Sequence, residues 1–288
     1  MSVRQFANSL QIIRRSEDHN RGAALVRHLY WQGRKLLFPR PVRLQLSRST
    51  ITDDEPGGVI SLVNMLGCYD YNNMHFVQRV LAQAESPVFV DVGANIGAYS
   101  LIASESPAVT VVAFEPIPAA HAKLKRNLAL NGRTGVHTLN MAASSEPGHL
   151  RMTCDGASSV NRVVDAGGRS TGKHEETTLV DVTTLDIACA ELRVAPSLIK
   201  IDVEGHELSV LRGAAASLSA CLACVVENGD APPIAAFMRE HGMAGPFWYR
   251  HRASTLDRQP QAVPEDCVYV GAGFAARVPG ITLAGQDT

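Results

Sequence analysis

Between residues 88 and 242, apolar residues fall into short continuous runs separated by segments of helical spacing. "VFVDVG" (88–93), "VTVVAFEP" (109–116), "GVHTLNMAAS" (135–144), "SLIKIDVEG" (197–205) and "CLACVVENG" (221–229) read as strands. Continuous rather than alternating apolar residues suit strands covered on both faces. Between them, "AYSLIAS" (98–104), "PAAHAKLKRNLALNG" (118–132), "LDIACAELR" (185–193), "ELSVLRGAAASLS" (207–219) and "PPIAAFMREHG" (232–242) read as helices, the last opening on Pro and closing on Gly242. Such alternation implies a doubly wound, mostly parallel α/β sheet. "GPFWYRHR" (245–252) and "CVYVGAGFAAR" (267–277) add two strand-like runs suited to an antiparallel edge hairpin.

Upstream, "FANSLQIIRR" (6–15) and "GAALVRHLYWQGRKLL" (22–37) are helical and stop at Pro39 and Pro41. "VRLQLSRSTI" (42–51) alternates as one strand, and "NNMHFVQRVLAQA" (72–84) is a helix leading into the first core strand. The interval 145–182, rich in Gly, Ser and Thr, interrupts the pattern. It reads as a β-excursion over one edge of the sheet, with strand-like pieces at 148–153 and 177–183. Insertions there commonly carry ligand contacts. The expected division is a basic helical arm with a short β extension over 1–64, then one α/β domain over 65–288.

Composition changes this picture little, and charge distribution changes it more. Of 288 residues, 45% are hydrophobic and 19% charged, ordinary for a globular protein, and the net charge is −1. The first 50 residues nevertheless hold ten Arg/Lys against two acidic residues, so a basic arm precedes an acidic body. That arm reads as a solvated cap, or as a surface for an anionic acceptor or membrane headgroups. No run approaches the roughly 20 apolar residues of a membrane span. The apolar start is too short and interrupted for a signal peptide, so a cytoplasmic location is expected. No aromatic–basic platform is present, and nucleic acid is not expected as a partner. Of six cysteines only Cys221 and Cys224 form C-x-x-C, without a second ligand pair, so buried thiols are expected.

The turn "DVGANIGAYS" (91–100) carries the candidate chemistry. It lacks the Lys-Ser/Thr ending of a P-loop and the G-x-G-x-x-G spacing of a dinucleotide turn. Asp91 directly before the turn disfavours an anion. Glu115 at the end of the next strand stands where a carboxylate can accept both ribose hydroxyls. A cationic nucleoside without phosphate is suggested, and S-adenosylmethionine fits.

Three blocks, "VDVGANIGAYSL", "AFEPIPAAHAKLKRNLALNG" and "LIKIDVEGHELSVLRGA" followed by "VVEN", resemble the FkbM family of S-adenosylmethionine-dependent methyltransferases over roughly residues 65–230. The resemblance implies a class I methyltransferase fold: a Rossmann-like, doubly wound, mostly parallel seven-stranded sheet with an antiparallel edge strand. It implies cofactor contacts at Asp91, Gly93, Asn95 and Gly97 and a ribose carboxylate at Glu115. Where many class I enzymes carry an acidic residue for the adenine amino group this chain has Ala142-Ala143-Ser144, so adenine contacts are expected from backbone groups at Ala143 and from Ser144. It also implies O-methylation of a sugar, glycolipid, polysaccharide or polyketide-type hydroxyl. RNA or protein methylation, or a silent cofactor-binding scaffold, are the competing readings.

"KIDVEGHE" closes the fourth core strand at the edge where ligands bind. Asp202, Glu204 and His206 are the candidate catalytic groups, Asp202 also facing the sulfonium. His206 is the simplest general base on its ordinary pKa. Asp202 and the pair Glu227–Asn228 echo the Mg²⁺ site of catechol-type enzymes. Mg²⁺ is nevertheless not expected, and Glu227 and Asn228 are read as acceptor contacts.

Overall fold

The computed structural model describes residues 21–37, 42–54, 58–154, 161–164, 176–260 and 266–284. Expectations for 6–15, Pro39, Pro41 and parts of 145–182 lie outside them. The described residues open on α1 (Arg21–Leu37), followed by β1 (Val42–Leu46), β2 (Ser49–Asp53), α2 (Gly58–Leu66) and α3 (Tyr71–Gln83). The segment 42–51, read as one strand, is instead an antiparallel hairpin with Val42 facing Asp53. Its reversal uses Ser47 at φ 54°, and buried Glu105 clamps it. That carboxylate accepts from Ser47 Oγ, Arg48 N and Ser49 Oγ at 2.7–3.0 Å. Helix α2 was not anticipated, although Val59, Ile60 and Val63 bury one face.

The body alternates as expected. Strands β3 (Val88–Val92), β4 (Thr110–Phe114), β5 (Val136–Leu139), β9 (Leu198–Ile201) and β10 (Ala223–Val226) form a parallel array in the order β5-β4-β3-β9-β10. Strand β13 (Cys267–Val270) runs antiparallel beside β10, and β11 (Ala244–Arg250) runs antiparallel beside β13. These are the seven core strands. The strand antiparallel to the array, β13, lies inside the sheet rather than at its edge, because β11 flanks it, and β12 (Thr255–Asp257) and β14 (Thr282–Leu283) extend the sheet to nine strands.

Two apolar layers cover the sheet. One packs Phe89, Val111 and Val225 against α3 and α4 (Ala98–Ala103); the other packs Val90, Ile199 and Val226 beneath α6 (Leu185–Leu192) and α7 (Glu207–Arg212). Alternate residues of one strand enter opposite layers, so the central strands β3, β4, β9 and β10 are buried on both faces, whereas β5 at the edge is only partly covered.

Two further expectations are corrected. Residues 135–144 are not one strand: after β5 the chain leaves the main sheet, and β6 (Ala142–Ala143) joins β8 (Thr177–Thr183) and β7 (Gly148–Thr153) in a separate three-stranded sheet. Residues 207–219 are not one helix either. They break at Gly213 between α7 and α8 (Ala215–Ala220), where Asp186 N–H bonds to the Gly213 carbonyl. Any Cβ at Gly213 would lie 2.0 Å from the Ser144 carbonyl oxygen, so the close approach requires glycine. The fold also includes α5 (Pro118–Leu130), α9 (Pro232–Glu240) and α10 (Phe274–Arg277). No helix among the described residues is long and apolar enough to cross a membrane.

Candidate active site

Strands β3, β9 and β10 end in register, with Asp202 N–H bonding Val92 O at 3.0 Å and Glu227 N–H bonding Ile201 O at 2.9 Å. Each strand then turns through a non-glycine residue of positive φ: Asn95 (51°), Glu204 (52°) and Asn228 (50°). That conformation costs roughly 1–2 kcal/mol per residue and accumulates where function constrains the backbone. Between neighbouring parallel strands whose crossovers leave in opposite directions, the ends open a crevice.

The first loop is shaped by close approach. Gly93 has φ 84°, and a Cβ there would sit 1.9 Å from the Asp202 carbonyl oxygen. Gly97 has φ 91° and faces Leu124, whose Cδ1 would lie 2.5 Å from a Cβ. Asn95 does not cap the following helix, since Gly97 holds the N-cap position of α4. Its N–H instead donates to Glu115 Oε2 at 2.8 Å, and Ile117 N–H donates to Oε1 at 2.9 Å. Burial pushes the Glu115 carboxyl up to about 7, with these two donors opposing the rise. Asp91 is enclosed, 1% exposed, and accepts from Ser100 Oγ at 2.6 Å. Burial raises this carboxyl, with Lys200 and the Ser100 hydroxyl opposing the rise, and its enclosure leaves it no surface contact.

Lys200 is 2% exposed, and its Nζ lies 2.8 Å from Asp202 Oδ2 and 4.7 Å from the Tyr99 ring centre. Burial opposes its charge, but Asp202, Asp266 and Asp91 outweigh burial and hold it protonated. Burial likewise raises Asp202, and Lys200 overcomes it, so this carboxyl falls below its ordinary range. Carboxylate oxygens of Asp202, Glu204 and Glu227 all lie within 4.8 Å of one another. Burial, then Asp202 and Glu207, raise Glu204. Burial, then Asp202 and Glu204, push Glu227 up to about 8, and its Oε2 is sealed from solvent without a hydrogen-bond partner.

His206 stands outside this carboxylate group. It occupies the N-cap position of α7 without a side-chain cap bond, and its Nε2 lies 2.9 Å from Ser144 Oγ. The Gly205 N–H is taken by Glu207 Oε1 at 2.8 Å. Ser144 and Ala143 are buried at the end of β6. Asn228, next to Glu227, is exposed.

Some groups at the site escape a reading by strand ends. Asp266 acts on Lys200, Glu227 and Tyr99 because antiparallel β13 begins where the parallel strands finish. The carboxylate before the apolar run "CVYV" was the available signal. Tyr99 donates to Asp70 Oδ2 at 2.6 Å, and the Tyr69 ring stands edge-on to it at 6.4 Å. Tyr69, Asp70 and Asp266 lie beyond the three blocks that point to the site.

Residues 91–243 match the family model described as "Methyltransferase FkbM domain", a little over half of the chain. The chain is 32% identical over 174 residues to "Methyltransferase sdnD" of Sordaria araneosa, covering 51% of this chain and 64% of the relative. It is 34% identical to "31-O-demethyl-FK506 methyltransferase FkbM" of Streptomyces tacrolimicus, covering 44% and 58%. With "Hexuronic acid methyltransferase AglP" of Haloferax volcanii the identity is 31%, over 52% and 60%. The matches thus span less than two thirds of each of these relatives.

Proposed function

The chain belongs to the FkbM methyltransferase family, and on that premise we propose that it transfers a methyl group from S-adenosylmethionine to a hydroxyl oxygen of a small-molecule or glycan acceptor. The observation that carries this reading is the acidic crevice itself. Buried Glu115 stands at the end of β4, and beyond the glycine turn after β3, Asp202, Glu204 and Glu227 gather at the ends of β9 and β10. A phosphate-bearing cofactor is repelled there, whereas a sulfonium cation and a ribose diol are suited to it. Names of two relatives, one for 31-O-demethyl-FK506 and one for hexuronic acid, favour an oxygen acceptor.

Glu115 and the backbone of Gly93–Gly97 hold the ribose and methionine parts. Ser144, positioned by His206, and Ala143 face the adenine side. Bound there, S-adenosylmethionine supplies a methyl group activated by its positive sulfur. The protein's own tasks are alignment of the acceptor oxygen and removal of its proton. Because His206 is engaged with Ser144 and Asp202 with Lys200, the proton acceptor is assigned to Glu227, with Glu204 and Asn228 orienting the hydroxyl.

Calorimetry should show S-adenosylmethionine binding without comparable NAD binding. Glu115→Ala should weaken it by about 1–3 kcal/mol, the loss of a charged hydrogen-bond partner. Since Glu115 must be ionised to accept both hydroxyls, affinity should fall as pH drops through about 7. Equal binding of NAD, or an unaltered Glu115→Ala constant, would refute this assignment.

The carboxylate grouping also supports a second reading, transfer assisted by a divalent cation on Asp202, Glu204 and Glu227, whose hard oxygens suit Mg²⁺. The ion pair on Asp202 and the high pKa of Glu227 favour the metal-free reading, because both already relieve carboxylate repulsion. Turnover should therefore persist in EDTA. Loss on chelation with rescue by Mg²⁺ would make the three carboxylates ligands.

A further inference from the structure

Helix α1 has its apolar residues on two opposite sides. Ala24, His28 and Trp31 are buried, Ala24 clustering with Met65 of α2 and Trp31 Nε1 donating to Ser61 Oγ at 3.1 Å. The other side should be polar in a surface helix. Instead Val26, Leu29 and Tyr30 are 66%, 53% and 68% exposed. Their i, i+3, i+4 spacing places them on one face, continued by exposed Gly22 and Gly33. Among the described residues these are three of the six large apolar side chains more than a third exposed. Such clustering within five residues marks an interaction surface.

We propose that this outward face of α1 docks the protein onto an anionic lipid bilayer. The charge of the helix selects the occupant. Its sequence holds Arg21, Arg27, Arg34 and Lys35 and no acidic residue, within a first 50 residues that carry ten basic against two acidic groups. A second copy presenting the same face would set two cationic helices against each other, which is repulsive. A bilayer with anionic headgroups accepts both features. Val26 and Leu29 enter the headgroup–acyl boundary, Tyr30 sits at the interface, and exposed Arg27 beside them meets phosphate. Helix α1 is anchored to the segment that precedes the site: Asn64 Nδ2 bonds the Arg27 carbonyl at 3.3 Å, and Arg27 acts on the Cys68 thiol. Neighbouring Tyr69 feels the charges of Asp202 and Lys200.

The test is co-sedimentation of the full chain with vesicles of phosphatidylcholine alone or containing about a quarter phosphatidylglycerol. Binding is expected only to the phosphatidylglycerol vesicles and should weaken as salt rises. Val26→Glu with Tyr30→Glu should reduce it about tenfold or more, because two inserted apolar side chains are lost. Arg27→Glu should weaken it as well. Melting temperatures should be unchanged, since all three side chains are exposed. Absence of wild-type binding, equal binding to neutral vesicles, or undiminished binding by the double variant would overturn the proposal. So would a dimer in sedimentation velocity that the double variant dissolves, which would make the face a self-interface.

Discussion

Glu227→Gln is expected to lower turnover by about 10²–10⁴-fold, the usual contribution of a general base. The affinity for S-adenosylmethionine should stay within about threefold. Glutamine keeps the volume and one acceptor oxygen but cannot take the proton released as the acceptor oxygen bonds to the methyl carbon. The pH dependence is the sharper readout. In the free protein the Glu227 carboxyl is pushed up to about 8 by burial, then by Asp202 and Glu204. The basic form appears above that value, so kcat/KM should rise with pH through about 8. A bound sulfonium cation favours the ionised carboxylate, so the rise in kcat, which reports the occupied protein, should lie at lower pH. Glu227→Gln should flatten both rises. His206→Ala should retain them, because His206 acts through Ser144. If His206→Ala removes the pH dependence and Glu227→Gln leaves it, the roles are reversed.

Gly93→Ala should produce the largest loss of stability among conservative changes at the site, roughly 2–4 kcal/mol. Two physical costs coincide there. A side chain at φ 84° is strained by about 1 kcal/mol or more. The added methyl also lies 1.9 Å from the Asp202 carbonyl oxygen, and backbone at a strand end cannot yield as a flexible side chain does. Overpacking of this kind costs about 1–3 kcal/mol. Gly132→Ala is the matched control, with φ 66° and nothing within 4 Å of its Cβ. It carries the strain alone, about 1 kcal/mol. For a chain of this size the melting temperatures should fall by roughly 5–10 °C and 2–4 °C respectively. Gly93→Ala should also weaken cofactor binding, which Gly132→Ala should leave intact. Equal losses of stability would remove the close approach of the two strand ends.

Much of the crevice was legible because its parts stand at strand ends. Continuous runs such as "VFVDVG" and "SLIKIDVEG" need cover on both faces, which requires a parallel sheet with helices above and below. A residue just after such a run stands at the carboxyl edge whatever the details of packing, and this places Glu115, Asp202 and Glu227 there. Breaks within runs were less legible. "GVHTLNMAAS" and "ELSVLRGAAASLS" each read as a single element. The first divides because Ala142 and Ala143 pair with Val182 and Thr183 instead of the main sheet, and the second at Gly213, which abuts the Ser144 carbonyl; in both cases the partners are far apart in sequence.

The ordering of carboxylates by proton affinity was a tertiary outcome. Read from the sequence, "KIDVEGHE" favours His206 as the base on its ordinary pKa and sets Asp202 near the sulfonium, with nothing to rank the carboxylates by proton affinity. The fold buries Lys200 against Asp202, turns His206 to Ser144, and leaves Glu227 with an unpartnered oxygen. It also brings in Asp266 by running β13 against its neighbours. By itself the sequence determined the sheet, the glycine turn, the acidic edge and the family, since each follows from periodicity and short-range spacing. Only the tertiary structure decided which carboxylate keeps its proton, that Asp91 is enclosed, and that α1 turns Val26, Leu29 and Tyr30 outward. These depend on desolvation and on neighbours distant along the chain, which the order of residues does not specify.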